Sequence, residues 1–262
     1  MRILISDPKH ANALATIFCN LKQFSSVITM HVSEDGVYIQ GMDTSQVCLF
    51  ECKVASEWFD TFEMGDDDKL SLSLATSITA KVMAARAATQ IVTMEAEAGC
   101  DKLSLSFTGC SDVYDKYFEL PLMDSETDLM NVPDKESDVD LALPSKSFGE
   151  LVNQFEMFAD TLTLKFTEEK ITMRASGAEG SMETSIHLDD VSEYAIGEGS
   201  QLEQSFSLRY IKMMASFGKL ANETQMEFSA ESPLIIRYSL TDGAEDDSSY
   251  VRFYLAPKIS DE

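Results

Sequence analysis

The chain alternates apolar and polar residues over short stretches and changes to a three- and four-residue apolar spacing at a few places. The alternation predicts strands over residues 2–6, 27–32, 37–42, 47–54, 69–74, 90–96, 103–107 and 113–120, because successive strand side chains face opposite sides. Over residues 9–22, Leu14, Ile17, Phe18 and Leu21 recur at helical spacing and continue to Phe24, and Asp7 ahead of Pro8 supplies an N-cap. A second helix is expected over 76–86, with Trp58, Phe59 and Phe62 as core aromatics. The period then stops. Residues 121–138, PLMDSETDLMNVPDKESD, hold two prolines and many acids and read as a connector.

Beyond the connector the pattern begins again. Strands are expected over 139–143, 205–208, 225–230, 234–240 and 250–255, a hairpin over 161–176, and helices over 145–155 and 209–219. Phe148, Leu151, Val152, Phe155 and Phe158 lie 134 residues after Leu14, Ile17, Phe18, Leu21 and Phe24, and the same offset lays TLTLKFTEEKITMRAS on VITMHVSEDGVYIQGM. A repeat of that length is a domain, not a solenoid unit. The expectation is an α+β chain of two similar domains, 1–120 and 139–262, joined by 121–138, each with antiparallel sheets and two helices.

Charge changes this picture through its placement. With 20 basic and 45 acidic residues the net charge is −25, which opposes nucleic-acid binding if it is evenly spread. It is not. The four expected helices hold eight of the basic residues (Lys9, Lys22, Lys81, Arg86, Lys146, Arg209, Lys212 and Lys219) and a single acid, Glu150. Even spreading would put roughly eight acids there. Ordinary solvated helix faces remain an alternative, but segregation of this kind is what a nucleic-acid footprint requires. Two cations per helix are too few to grip DNA, where roughly six to ten phosphate contacts are usual, and suit a surface over which a duplex passes.

Candidate chemistry adds little. Asp124, Glu126 and Asp128 have the first spacings of a calcium loop, but Leu129 and Lys135 occupy its glycine and terminal glutamate positions. Asp66, Asp67, Asp68, Asp246 and Asp247 could ligate magnesium as in a nuclease, although acidic turns look the same. His10, His31 and His187 stand singly, and Gly177-Ala-Glu-Gly180 lacks the lysine of a phosphate loop. The expectation is therefore a protein that is not an enzyme, with no catalytic residue, metal or cofactor. Five cysteines without a CxxC pair read as free thiols in a reducing compartment. No apolar run approaches the roughly 18 residues of a membrane span, so no membrane partner is expected. A metal-dependent nuclease is the alternative from a different class, and an acidic DNA mimic is a further binding-class alternative.

GMDTSQVCLF (41–50) with SEWFDTF (56–62), LMDSETDLMNVP (122–133), LPSKSF (143–148), FSLRYI (206–211), ESPLIIRY (231–238) and FYLAPKISDE (253–262) stand in an order that resembles the eukaryotic-type DNA sliding clamp, the proliferating cell nuclear antigen family, over essentially the full chain. The resemblance implies the DNA-clamp fold and a ring-shaped homotrimer that encircles double-stranded DNA as a polymerase processivity factor. Helices would line the hole, and the edges at 113–120 and 181–188 of neighbouring subunits would pair. It implies that the linker roofs a hydrophobic pocket of Met42, Val47, Leu49, Met130, Val132, Pro133, Pro233, Tyr254, Ala256 and Pro257. Short peptides bearing an aliphatic and two aromatic side chains would dock there, from DNA polymerase, clamp loader, flap endonuclease and ligase. Nuclear location, or a viral replication compartment in an infected cell, follows from the same likeness, and a subunit of a heterotrimeric checkpoint-type clamp would share the fold. Departures are that Ala15 and Thr16 stand where the family often has lysines, Asn153 where it often has arginine, Ser137 where a tyrosine is common, and Glu168 at the lysine used for ubiquitin attachment.

Overall fold

The computed structural model describes residues 1–65, 68–125, 128–133, 135–241 and 248–258. Asp66, Asp67, Glu126, Asp246, Asp247 and residues 259–262 of the FYLAPKISDE stretch lie outside the described residues.

The first half runs β1 (Arg2–Ile5), α1 (Pro8–Leu21), β2 (Val27–Ser33), β3 (Gly36–Met42), β4 (Cys48–Ala55), β5 (Thr61–Glu63), β6 (Lys69–Ala75), α2 (Thr76–Ala84), β7 (Ile91–Glu95), β8 (Lys102–Thr108) and β9 (Lys116–Pro121). The second runs β10 (Val139–Pro144), α3 (Ser145–Phe155), β11 (Thr161–Thr167), β12 (Lys170–Gly177), β13 (Gly180–Ile186), β14 (Glu193–Ile196), β15 (Gln201–Ser207), α4 (Leu208–Ala215), β16 (Glu223–Ser229), β17 (Ser232–Ser239) and β18 (Tyr250–Leu255). The hydrogen-bonded orders are β5-β1-β7-β8-β9 and β4-β3-β2-β6 in the first half, and β14-β10-β16-β17-β18 and β13-β12-β11-β15 in the second. The two halves thus repeat element for element, as the offset in the sequence predicts.

Two compact units result. One comprises Met1–Thr44, Glu51–Met130 and Ser239–Val251; the other comprises Ser45–Phe50, Asn131–Tyr238 and the residues from Arg252 onward. In the first, Leu14, Ile17, Phe18, Leu21 and Phe24 are all buried. In the second, Phe148, Val152 and Phe155 are buried, whereas Leu151 and Phe158 are only half-buried. Each fully buried side chain of this size contributes about 1.5–3 kcal/mol. The hairpin turn between β2 and β3 requires glycine: Gly36 has φ +132°, and a Cβ there would lie 2.1 Å from the Val54 carbonyl oxygen.

Candidate nucleic-acid and partner-binding surfaces

Each helix presents its cations by burying the opposite face. Asp7 caps α1 by accepting from Lys9 N at 2.7 Å, and Pro8 opens the helix, where its missing N–H costs nothing. Burial of Ala11, Leu14, Ile17, Phe18 and Leu21 leaves Lys9 and Asn12 outside. On α2, which packs against α1, Thr79, Ala80, Val82 and Met83 are buried and Lys81 is exposed. In the second unit α3 packs against α4. Tyr210, Ile211, Met213 and Met214 turn inward, and Arg209 and Lys212 stay exposed. None of the four helices has an acid in its first turn.

The expected cations divide on inspection. Lys9, Lys22, Lys81, Lys146, Arg209, Lys212 and Lys219 are exposed. Lys146 Nζ lies 4.0 Å from Glu150, and Lys212 Nζ pairs with Glu156. Glu156 lies one position past α3, outside the expected helix. Its pairing with Lys212 is a tertiary contact that no local spacing signals. Arg209 places its guanidinium carbon 5.8 Å from the centre of the Tyr210 ring.

Arg86 departs from the expectation. The helix ends at Ala84, so Arg86 stands beyond it, half-buried. One guanidinium nitrogen donates to the carbonyls of Ala87, Ala88 and Gln90 at 3.0, 3.1 and 2.9 Å, and the other to Asn12 Oδ1. Burial pushes its pKa down, but a guanidinium stays charged at neutral pH. A side chain committed to four acceptors braces the turn into β7. Lys219 likewise lies past the end of α4, at Ala215, but remains exposed.

The expected partner-binding residues show a graded exposure. In the first unit Met42 is 36% and Met130 39% exposed. In the second, Pro133, Pro233, Ala256 and Pro257 are exposed, Val47 and Val132 are half-buried, and Leu49 and Tyr254 are buried. Val47 is held to the segment after β18 by Ala256 N, which donates to its carbonyl at 3.1 Å. Lys258 anchors the same segment, its N–H donating to Ser205 O at 2.7 Å and its ammonium to Thr161 Oγ1 at 2.6 Å.

Among the described residues six strands, β5, β6, β9, β13, β14 and β15, stand at sheet ends with one backbone edge open, and two of them, β9 in the first half and β13 in the second, coincide with the stretches expected to pair between subunits. Tyr117 on β9 is 74% exposed. β13 has no buried residue, which is why period-two hydrophobicity did not single it out.

Remaining reactive groups are scattered. Among the described residues no three His, Cys, Asp or Glu side chains gather as a metal site. His10 stacks on Trp58 with ring centres 4.2 Å apart. Glu168 accepts from Gly199 N, pinning the turn between β14 and β15. None of the cysteines is in a disulfide. Burial pushes the Cys52 thiol up to about 12, while hydrogen bonds from Thr89 and nearby backbone lower that of half-buried Cys110.

Comparison with known proteins places both units. Residues 6–130 match the family described as proliferating cell nuclear antigen, N-terminal domain, and residues 131–258 match proliferating cell nuclear antigen, C-terminal domain. Proliferating cell nuclear antigen 2 of Drosophila melanogaster is 29% identical over 241 residues, covering 92% of each chain.

Proposed function

Because the chain belongs to the proliferating cell nuclear antigen family and is a DNA sliding clamp, we propose that three copies close into a ring around duplex DNA and act as a processivity factor. The observation that supports the ring reading is that β9 in one unit and β13 in the other, the two stretches expected to pair, are each sheet-end strands with an open backbone edge. Two different edges on one chain make a head-to-tail contact, and such contacts form a closed ring when the rotation closes. The DNA-facing groups are Lys9, Lys22, Lys81, Lys146, Arg209, Lys212 and Lys219. Their sparse positive charge, lowered further by Glu150 and Glu156, favours passage of the duplex over retention by counterion release. Topology holds the DNA in place.

The chain serves as a scaffold, as the family's clamps do, and carries no chemistry of its own. Its partners are polymerase, clamp loader, flap endonuclease and ligase, each presenting a short helical turn with one aliphatic and two aromatic anchors. We assign those anchors to Met42, Val47, Leu49, Met130, Val132, Pro133, Pro233, Tyr254, Ala256 and Pro257. The site of action is the nucleus or a viral replication compartment. Solution mass tests the assembly: a value near three chains at micromolar concentration is expected, and a strict monomer would favour a heterotrimeric clamp subunit instead.

A further inference from the structure

Met123, Ser125 and Met130 of the linker are seated on a row of buried polar side chains in the first unit. β6, β2, β3 and β4 are neighbours. Their register sets Ser73 opposite Thr29, and Met30 opposite Ile39, so Thr29 faces Gln40 at the next pair. Glu51 on β4 lies within reach of Gln40, whose Nε2 donates to Glu51 Oε1 at 3.2 Å. All four are nearly inaccessible, at 4, 3, 3 and 6% exposure in the order Ser73, Thr29, Gln40 and Glu51. Buried polar groups need partners, and here the linker backbone supplies several.

At one end Met123 N donates to Ser73 O at 2.9 Å, and Ser73 Oγ donates to Ser125 O at 3.4 Å. At the other, a single amide engages both backbone groups of Met130. Met130 N donates to Gln40 Oε1 at 2.7 Å, and Gln40 Nε2 donates to Met130 O at 2.9 Å. The amide cannot turn over without loss. Glu51 Oε1 accepts from Gln40 and from Tyr38, which keeps the NH2 end of Gln40 on its side and leaves the oxygen for Met130 N–H. Tyr38 completes the group, its hydroxyl donating to Glu51 at 2.9 Å.

We propose that Gln40 is a positioning residue for partner binding: its amide fixes the linker at Met130, so that Leu129 and Met130, 50% and 39% exposed, are presented outward. Because the contact is made to backbone, it holds the linker without restricting the side chains that partners meet. This inference rests on the partner-peptide reading above.

The test combines hydrogen exchange with peptide titration. The probe is a synthetic peptide carrying one aliphatic and two aromatic residues on a helical turn. In Gln40→Leu the Met130 amide should exchange about tenfold faster, and peptide affinity should fall about tenfold, the scale of one or two lost hydrogen bonds. Gln40→Glu supplies a readout that a bulk folding defect would not. At pH 7.5 its carboxylate cannot donate to Met130 O and faces Glu51, with Tyr38 the other titratable neighbour. Protonation restores a donor beside an acceptor. Affinity of that variant should therefore recover as pH falls from about 7.5 to about 5.5, because a like charge raises a carboxyl pKa, while the wild type stays nearly flat. Unchanged Met130 exchange in Gln40→Leu overturns the proposal, as does faster exchange with unchanged affinity or a flat Gln40→Glu profile. If the wild type fails to bind the peptide, the pocket reading falls, and Met130 exchange still decides whether Gln40 holds the linker.

Discussion

Arg86→Ala tests whether this cation braces the fold, against Lys81, which is proposed to face DNA. The wild-type guanidinium donates to three carbonyls between 2.9 and 3.1 Å and to Asn12. A charge-assisted hydrogen bond contributes about 1.5–3 kcal/mol when well buried. Arg86 is only half-buried, and water can reach part of this turn after truncation, so about 1 kcal/mol per carbonyl is the better scale. The expected loss is about 2–3 kcal/mol, a downward shift of roughly 1 M in a urea midpoint for a slope near 2 kcal/mol/M. Lys81→Ala on the exposed face of α2 is the control and should stay within about 0.5 kcal/mol. Arg86→Lys should recover less than half, since an ammonium cannot reproduce the planar fork. Urea unfolding followed by circular dichroism reads all three. An Arg86→Ala midpoint equal to that of Lys81→Ala would refute the bracing role and return Arg86 to the DNA-facing set.

Other consequences are as direct. Lys212→Glu combined with Lys219→Glu should impair polymerase stimulation on loaded DNA while ring mass is unchanged. The Lys212 to Glu156 pair is exposed enough that losing it costs no more than about 1 kcal/mol, so full stimulation would count against these residues as the DNA-facing set. Val132→Ala with Pro257→Ala should weaken peptide binding in titration calorimetry without changing the melting temperature, and equal affinity would remove them from the site. Alkylation at pH 7.5 followed by mass spectrometry should label Cys110 first and leave Cys52 unmodified. The hydrogen bonds at Cys110 favour thiolate from a lower pH, whereas burial holds Cys52 protonated to about 12. Equal labelling of the two would contradict that assignment.

Local pattern carried most of the fold. The helix at 9–22 was legible because Asp7, Pro8 and a continuous apolar stripe agree, and the structure places it at Pro8–Leu21. The strand at 250–255 was recovered to the residue. What escaped was short or polar. β5 spans only Thr61–Glu63, and β14 only Glu193–Ile196, too few residues for a period to emerge. The helices expected over 76–86 and 209–219 end earlier, at Ala84 and Ala215; in the second the apolar spacing runs past the last helical turn into a buried turn position, Phe217.

The surfaces were less legible than the fold, for a physical reason. A charge count tells where cations lie along the chain, not what each touches. Arg86 and Lys81 look alike in sequence, yet one is held by carbonyls and the other is exposed. Gln40 gives no local signal, because its partner Met130 is 90 residues away and is engaged through backbone. The acid-poor helices predicted a surface tolerant of DNA, and pairing of Lys212 with Glu156 makes that surface less basic than the count alone suggests.

The central claim is that topology, not affinity, keeps this protein on DNA. The direct measurement is retention on a nicked circular plasmid after loading by a clamp loader, before and after linearisation. Retention on the circle through a wash at about 0.5 M salt, with release once an end is cut, is the predicted result, because counterion-driven contacts this sparse do not survive such a wash. Equal retention on circular and linear DNA, or loss from the circle in salt, would contradict it.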